Sequence, residues 1–118
     1  MNKAAIVVLA DTETPGDLSR VVNALTATKE FKDADDDVTL VFDGAATKWV
    51  GELARPESKY RELFDEVKDR IDGACAYCAR AFGVADAIRT SGVELIGDRD
   101  HHPSVRTLAA RGYDVITF

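Results

Sequence analysis

The stretch KAAIVVLA, residues 3–10, decides the fold. Apolar and β-branched side chains follow one another there without the polar alternation of a half-solvated strand. Such a run predicts a strand covered on both faces, which is the condition of strands in a parallel sheet. It is far too short to span a bilayer. It also stops at the acidic loop DTETPGD (11–17) rather than at a small-residue cleavage site, so the expectation is an unprocessed, soluble, cytoplasmic chain with no membrane partner.

Outward from that strand, helical and extended patterns alternate. Leu18, Val21, Val22 and Leu25 recur at helical spacing behind Asp17, a good N-cap, and the helix fades in the acidic connector KEFKDADDD (29–37). DVTLVFDG (37–44) reads as a second strand with a glycine stop. AATKWVGELA (45–54) follows and breaks at RPES (55–58). Tyr60, Leu63, Phe64, Val67 and Ile71 then hold one helical stripe. Two readings meet at its end: Asp72 and Gly73 stop the helix, or residues 70–75 form a third strand with Ile71, Gly73 and Cys75 on one face. The strand is preferred.

Residues 77–82 and 85–90 are helical in pattern and interrupted by Gly83. GVELIG (92–97) is a fourth strand, HPSVRTLAARG (102–112) a helix with Gly112 past its end, and YDVITF (113–118) a fifth strand. Strands alternating with helices predict an α/β fold: a three-layer α/β/α sandwich around a mostly parallel five-stranded sheet, in a single domain over residues 1–118.

The charge balance narrows the partners. Fifteen Lys and Arg stand against 21 Asp and Glu, a net charge of -6, with no basic stripe to track a phosphate backbone, which argues against nucleic acid. Asp outnumbers Glu two to one, a surface suited to high salt and equally common in cytosolic proteins. The DTETPGD loop lacks the glycine spacing and the lysine of a phosphate cradle, so nucleotide binding is not expected there.

The two cysteines stand three residues apart in GACAYCARAFGV (73–84). In a reducing compartment such a pair points to redox, metal or catalytic chemistry rather than to a structural staple. Open parallel sheets gather chemistry at the carboxyl ends of their strands. That edge would hold Asp43, Cys75 and the loop DRDHHPS (98–104) with His101 and His102. Cys75, between strand and helix, is expected to be exposed and partly ionised by helix-start amides, with Cys78 as a second thiol. Arg80, His101, His102 and Asp43 are candidate supporting groups. The competing reading makes both cysteines small packing residues. Zinc on two cysteines and two histidines is set aside, because adjacent histidines rarely converge on one tetrahedral ion. Trp49, Val50 and Leu53 form an apolar helix face, either core or a subunit contact.

The segment CAYCARAFGV, Cys75 through Val84, resembles the cysteine segment of the DsrE/DsrF-like family, which includes the YchN-type proteins and the TusBCD sulfur-relay subunits. AAIVVLAD resembles that family's opening strand, and SVRTLAARGYDVITF its closing helix and strand. Asp72 and Gly73 stand where the family tends to be aliphatic. The resemblance implies a small cytoplasmic protein, homo-oligomeric as a trimer or hexamer. It implies a sulfurtransferase-like relay that holds a persulfide on Cys75 and exchanges it with sulfur donor and acceptor proteins, with no cofactor needed. The alternatives are a non-catalytic oligomeric binding module and a C-x-x-C redox protein cycling Cys75 and Cys78.

Overall fold

A computed structural model of the chain describes residues 1–97 and 103–118. Its strands are β1 (Lys3–Val8), β2 (Asp37–Phe42), β3 (Ile71–Cys75), β4 (Leu95–Ile96) and β5 (Asp114–Thr117). They form one five-stranded sheet in the order β4-β3-β2-β1-β5, and every neighbouring pair is parallel. The helices are α1 (Pro15–Asp33), α2 (Thr47–Leu53), α3 (Arg61–Val67), α4 (Ala76–Ala81), α5 (Ala85–Thr90) and α6 (Val105–Ala110). The three-layer α/β/α sandwich expected from the sequence is the fold, and no helix among the described residues is long and apolar enough to cross a membrane.

The run at residues 3–10 behaves as its composition requires. Ala4, Ile6 and Val8 enter the larger core, with Val21, Ala24 and Leu25 of α1, Val50 and Leu53 of α2, Phe64 and Val67 of α3, Ala79 of α4 and Ile88 of α5. Ala5 and Val7 point the other way, into a small cluster closed by Val41 and Leu108 of α6. The strand is thus buried on both faces. The asymmetry follows from connectivity: the chain steps β1, β2, β3, β4 in one direction across the sheet, then returns past all three to place β5 beside β1. Right-handed crossovers put helices of opposite travel on opposite faces, so α6 covers alone the face that α1 to α5 leave open.

Local corrections have local causes. The N-cap of α1 is Thr14, not Asp17. Thr14 Oγ1 accepts the Asp17 amide hydrogen at 3.1 Å while the Asp17 carboxylate accepts that of Thr14 at 3.1 Å, a capping box around Pro15 in the first turn. Residues 68–70 tighten into a 3-10 turn, and Ile71 opens β3 rather than closing α3. The strand reading is therefore right, but its facing is not. The register with β2 jumps from Leu40–Ile71 to Val41–Gly73, leaving Asp72 as an extra, exposed residue. Ile71 consequently packs with Ala74 against the larger core, away from the face expected to carry it with Gly73 and Cys75.

Gly73 is required where it stands. A Cβ there would lie 2.7 Å from Glu94 O and 2.7 Å from Ile96 Cγ2, so only glycine lets β4 approach β3 this closely. Gly83 takes φ +72 between α4 and α5, where the sequence pattern is interrupted.

Candidate functional site

Adjacent strands β3 and β4 send their following helices to opposite faces, α4 into the larger core and α6 over the smaller one. Open α/β sheets place ligands at such a divergence, outside the carboxyl ends of the strands. Cys75 ends β3 at this point, and Asp43 follows β2 beside it.

Each group is fixed by backbone. The Asp43 amide donates to Val8 O at 2.9 Å, extending the ladder one residue beyond β2. Its Oδ1 accepts the Gly44 amide hydrogen at 2.8 Å, capping a 3-10 turn over Gly44–Ala46. Cys75 is the N-cap of α4, and its Sγ accepts the Cys78 amide hydrogen at 3.4 Å. Ala76 and Ala79 are the buried residues of α4, which leaves Cys78 half-buried beside them. The Cys78 thiol donates to Asp43 Oδ1 at 3.8 Å. Cys75 Sγ, Cys78 Sγ and an Asp43 carboxylate oxygen all lie within 4.8 Å of one another.

One expectation fails. Cys75 sits where a helix begins, as read from the sequence, but it is neither exposed nor partly ionised: its exposure is 0%. Burial pushes its thiol up to about 12. The Cys78 amide pulls the other way, and the Cys78 thiol and the Asp43 charge add to the rise. A helix of six residues presents a small dipole, and one amide does not offset the loss of solvent around sulfur. The thiol that faces outward is Cys78.

The other candidates separate. Asp43, a supporting group in the sequence reading, joins both thiols. Arg80 is exposed on α4 and lines a shallow hollow with Arg89, Val93 and Glu94, apart from the three-residue cluster. His101 and His102 lie outside the described residues. Ser104, the last residue of the DRDHHPS loop, caps α6 by accepting the Thr107 amide hydrogen at 3.1 Å. The acids of the first loop serve Lys48, whose Nζ lies 2.6 Å from Asp11 and 3.6 Å from Glu13; the Lys48 hydrogen bond holds the Asp11 carboxyl below its ordinary value. Trp49 is half-buried and donates its indole N–H to Asp11 O at 2.8 Å, while Val50 and Leu53 are core.

Sequence reasoning missed Lys48, which joins the first loop to the end of α4: its ammonium pairs with Asp11 and lies 5.0 Å from the Phe82 ring centre. It also missed that Cys78 is the outward thiol. The alanines at 76 and 79 carry that signal, since small apolar residues three apart mark the inward face of a short helix.

No family model matches the chain. It is 27% identical over 96 residues to the uncharacterised protein MJ0733 of Methanocaldococcus jannaschii, covering 81% of this chain and 78% of that protein. Among solved structures it is similar to a conserved protein of unknown function, BT1422 from Bacteroides thetaiotaomicron, with a TM-score of 0.67 and 18% identity over 97% of this chain and 94% of that one. At that identity the likeness is one of fold.

Proposed function

We propose that this protein is a cytoplasmic sulfur carrier that takes up sulfane sulfur at Cys78 and shelters it as a persulfide on Cys75, the activity that its DsrE/DsrF-like resemblance implies. The observation that carries the reading is the meeting of two thiols and one carboxylate within 4.8 Å at the sheet's diverging rim. Burial of Cys75 moves first contact to Cys78. The Cys78 thiolate attacks the outer sulfur of a donor persulfide, giving Cys78-S-SH and releasing the donor thiolate. Cys75 then attacks the outer sulfur of Cys78-S-SH as its own proton passes to the departing Cys78 sulfur, giving Cys75-S-SH and returning the Cys78 thiol. An acceptor thiol removes the sulfur by the reverse order, and no electrons are gained or lost overall. Asp43 accepts the hydrogen of the resting Cys78 thiol and orients it. Exposed Leu9, Tyr77 and Phe82 on the segments leaving β1 and β3 suit a protein partner, either a sulfur donor or a second copy in a homo-oligomer.

The test is intact mass after brief incubation with a low-molecular-weight persulfide donor in the presence of a chelator. Wild type gains one sulfur. Cys78→Ser takes up none on the same timescale, and Cys75→Ser takes it up but surrenders it to added thiol at least about tenfold faster. A wild type whose thiols are free yet gain no sulfur overturns the reading. The spacing of the cysteines favours one further path: attack of Cys75 on the inner sulfur of Cys78-S-SH forms a Cys75–Cys78 disulfide and expels hydrogen sulfide. A loss of two hydrogens under mild oxidant, reversed by a reductase and without sulfur gain, makes the protein a dithiol redox carrier instead.

A further inference from the structure

The geometry points to a zinc-type cation site in which the Asp43 carboxylate, Cys75 Sγ and Cys78 Sγ are three ligands to one ion. In a tetrahedral site with zinc–sulfur bonds of about 2.3 Å, two sulfurs stand roughly 3.8 Å apart. The three donor atoms already lie within 4.8 Å of one another, and Cys78 Sγ is 3.8 Å from Asp43 Oδ1. Closing on an ion therefore needs shifts of roughly 1 Å or less, within the reach of side-chain torsions. Two residues between the cysteines is the spacing of zinc-binding pairs.

The surroundings are arranged as ligand support. The Asp43 main chain is held by Val8 O, and its Oδ1 receives the Gly44 amide hydrogen, a hydrogen bond that orients the carboxylate. The Cys78 amide donates to Cys75 Sγ, so that sulfur is already used as an acceptor, the role a metal thiolate keeps. Two sulfurs exclude magnesium and calcium, which take oxygen, and favour zinc among abundant divalent ions. Half-burial of Cys78 gives water or an incoming thiol an approach to the fourth position, as in zinc sites that exchange a ligand. The adjacent histidines were the reason for discounting zinc from sequence; Asp43, distant in the chain, supplies the third ligand without them. This inference goes beyond sulfur transfer, because an ion on both thiols holds them reduced and closed to persulfide donors.

The full chain, reduced and stripped of metal, is titrated with cobalt(II) and then zinc. Expected are a thiolate-to-cobalt charge-transfer band, strong tetrahedral d–d absorption, displacement by zinc, and one zinc per chain in native mass spectra. Asp43→Asn weakens binding about tenfold or more, and Cys78→Ser by more than the roughly hundredfold that an outer-shell partner is worth, both with wild-type circular dichroism. Absence of the charge-transfer band overturns the site, as does unchanged affinity in Asp43→Asn and Cys78→Ser, which would place the ion elsewhere. Tight binding of copper(I) without tetrahedral cobalt or zinc overturns it as well. Sulfur uptake in chelator separates the two proposals: uptake without zinc binding removes only the zinc site, and zinc binding by a chain that takes up no sulfur removes only the relay.

Discussion

At the scale of single residues, the cysteine pair shows how far position and environment can part. The sequence placed Cys75 correctly, at the last residue of a strand and the first cap of a helix. What it did not disclose was solvent, because depth beneath α4 depends on how neighbouring loops close, not on local pattern. The chemical consequence is measurable. In the fold the Cys75 thiol stays neutral up to about 12, while an unperturbed thiol ionises near 9.0. Between those values the unfolded chain binds fewer protons than the native one, so stability falls as pH rises through that window, by up to about 1.4 kcal/mol per pH unit. Urea midpoints taken in chelator from pH 8 upward should drop more steeply for wild type than for Cys75→Ala; equal slopes would refute the assignment. Asp43 was legible as a strand-end acid, and its meeting with the cysteines follows from β2 and β3 being sheet neighbours.

Among elements, β3 is the least strand-like segment by composition and the one that sets the site. Its sequence IDGAC offers two apolar residues to the larger core only because Asp72 bulges out and changes the facing between Ile71 and Gly73. Strict alternation misreads such a segment, since one extra residue inverts every side chain beyond it. Gly73 reads in sequence as a weakness; in the sheet it is a close-approach position. Gly73→Ala should cost about 1–3 kcal/mol from overpacking against Glu94 O and the Ile96 side chain, seen as a lowered urea midpoint with the slope unchanged. Tolerance of alanine there would mean that β4 is free to withdraw. The α1 cap teaches a related lesson: Thr14 and Asp17 both qualify as caps by type, and Pro15 between them was the deciding sign, because proline favours the first helical position.

For the whole molecule, the fold class was legible because the alternation of strand and helix patterns leaves few topologies once connections must be right-handed. The imbalance of the two faces was not, since it depends on strand order rather than on any one segment. It has a dynamic consequence. The face under α6 holds Ala5, Val7, Val41 and Leu108 as its buried cluster, against the much larger core on the other side. Hydrogen exchange should therefore release α6 and β5 at lower protection than α1, β1 and β2, as one cooperative unit. Uniform protection across both faces would contradict this. A further consequence concerns the order of synthesis. Ala4–Val7 of β1 pairs with Asp114–Thr117, so β1 leaves the ribosome well before β5, the partner that covers its outer margin. Until β5 has emerged and docked, that margin is an open, apolar template for pairing with another chain.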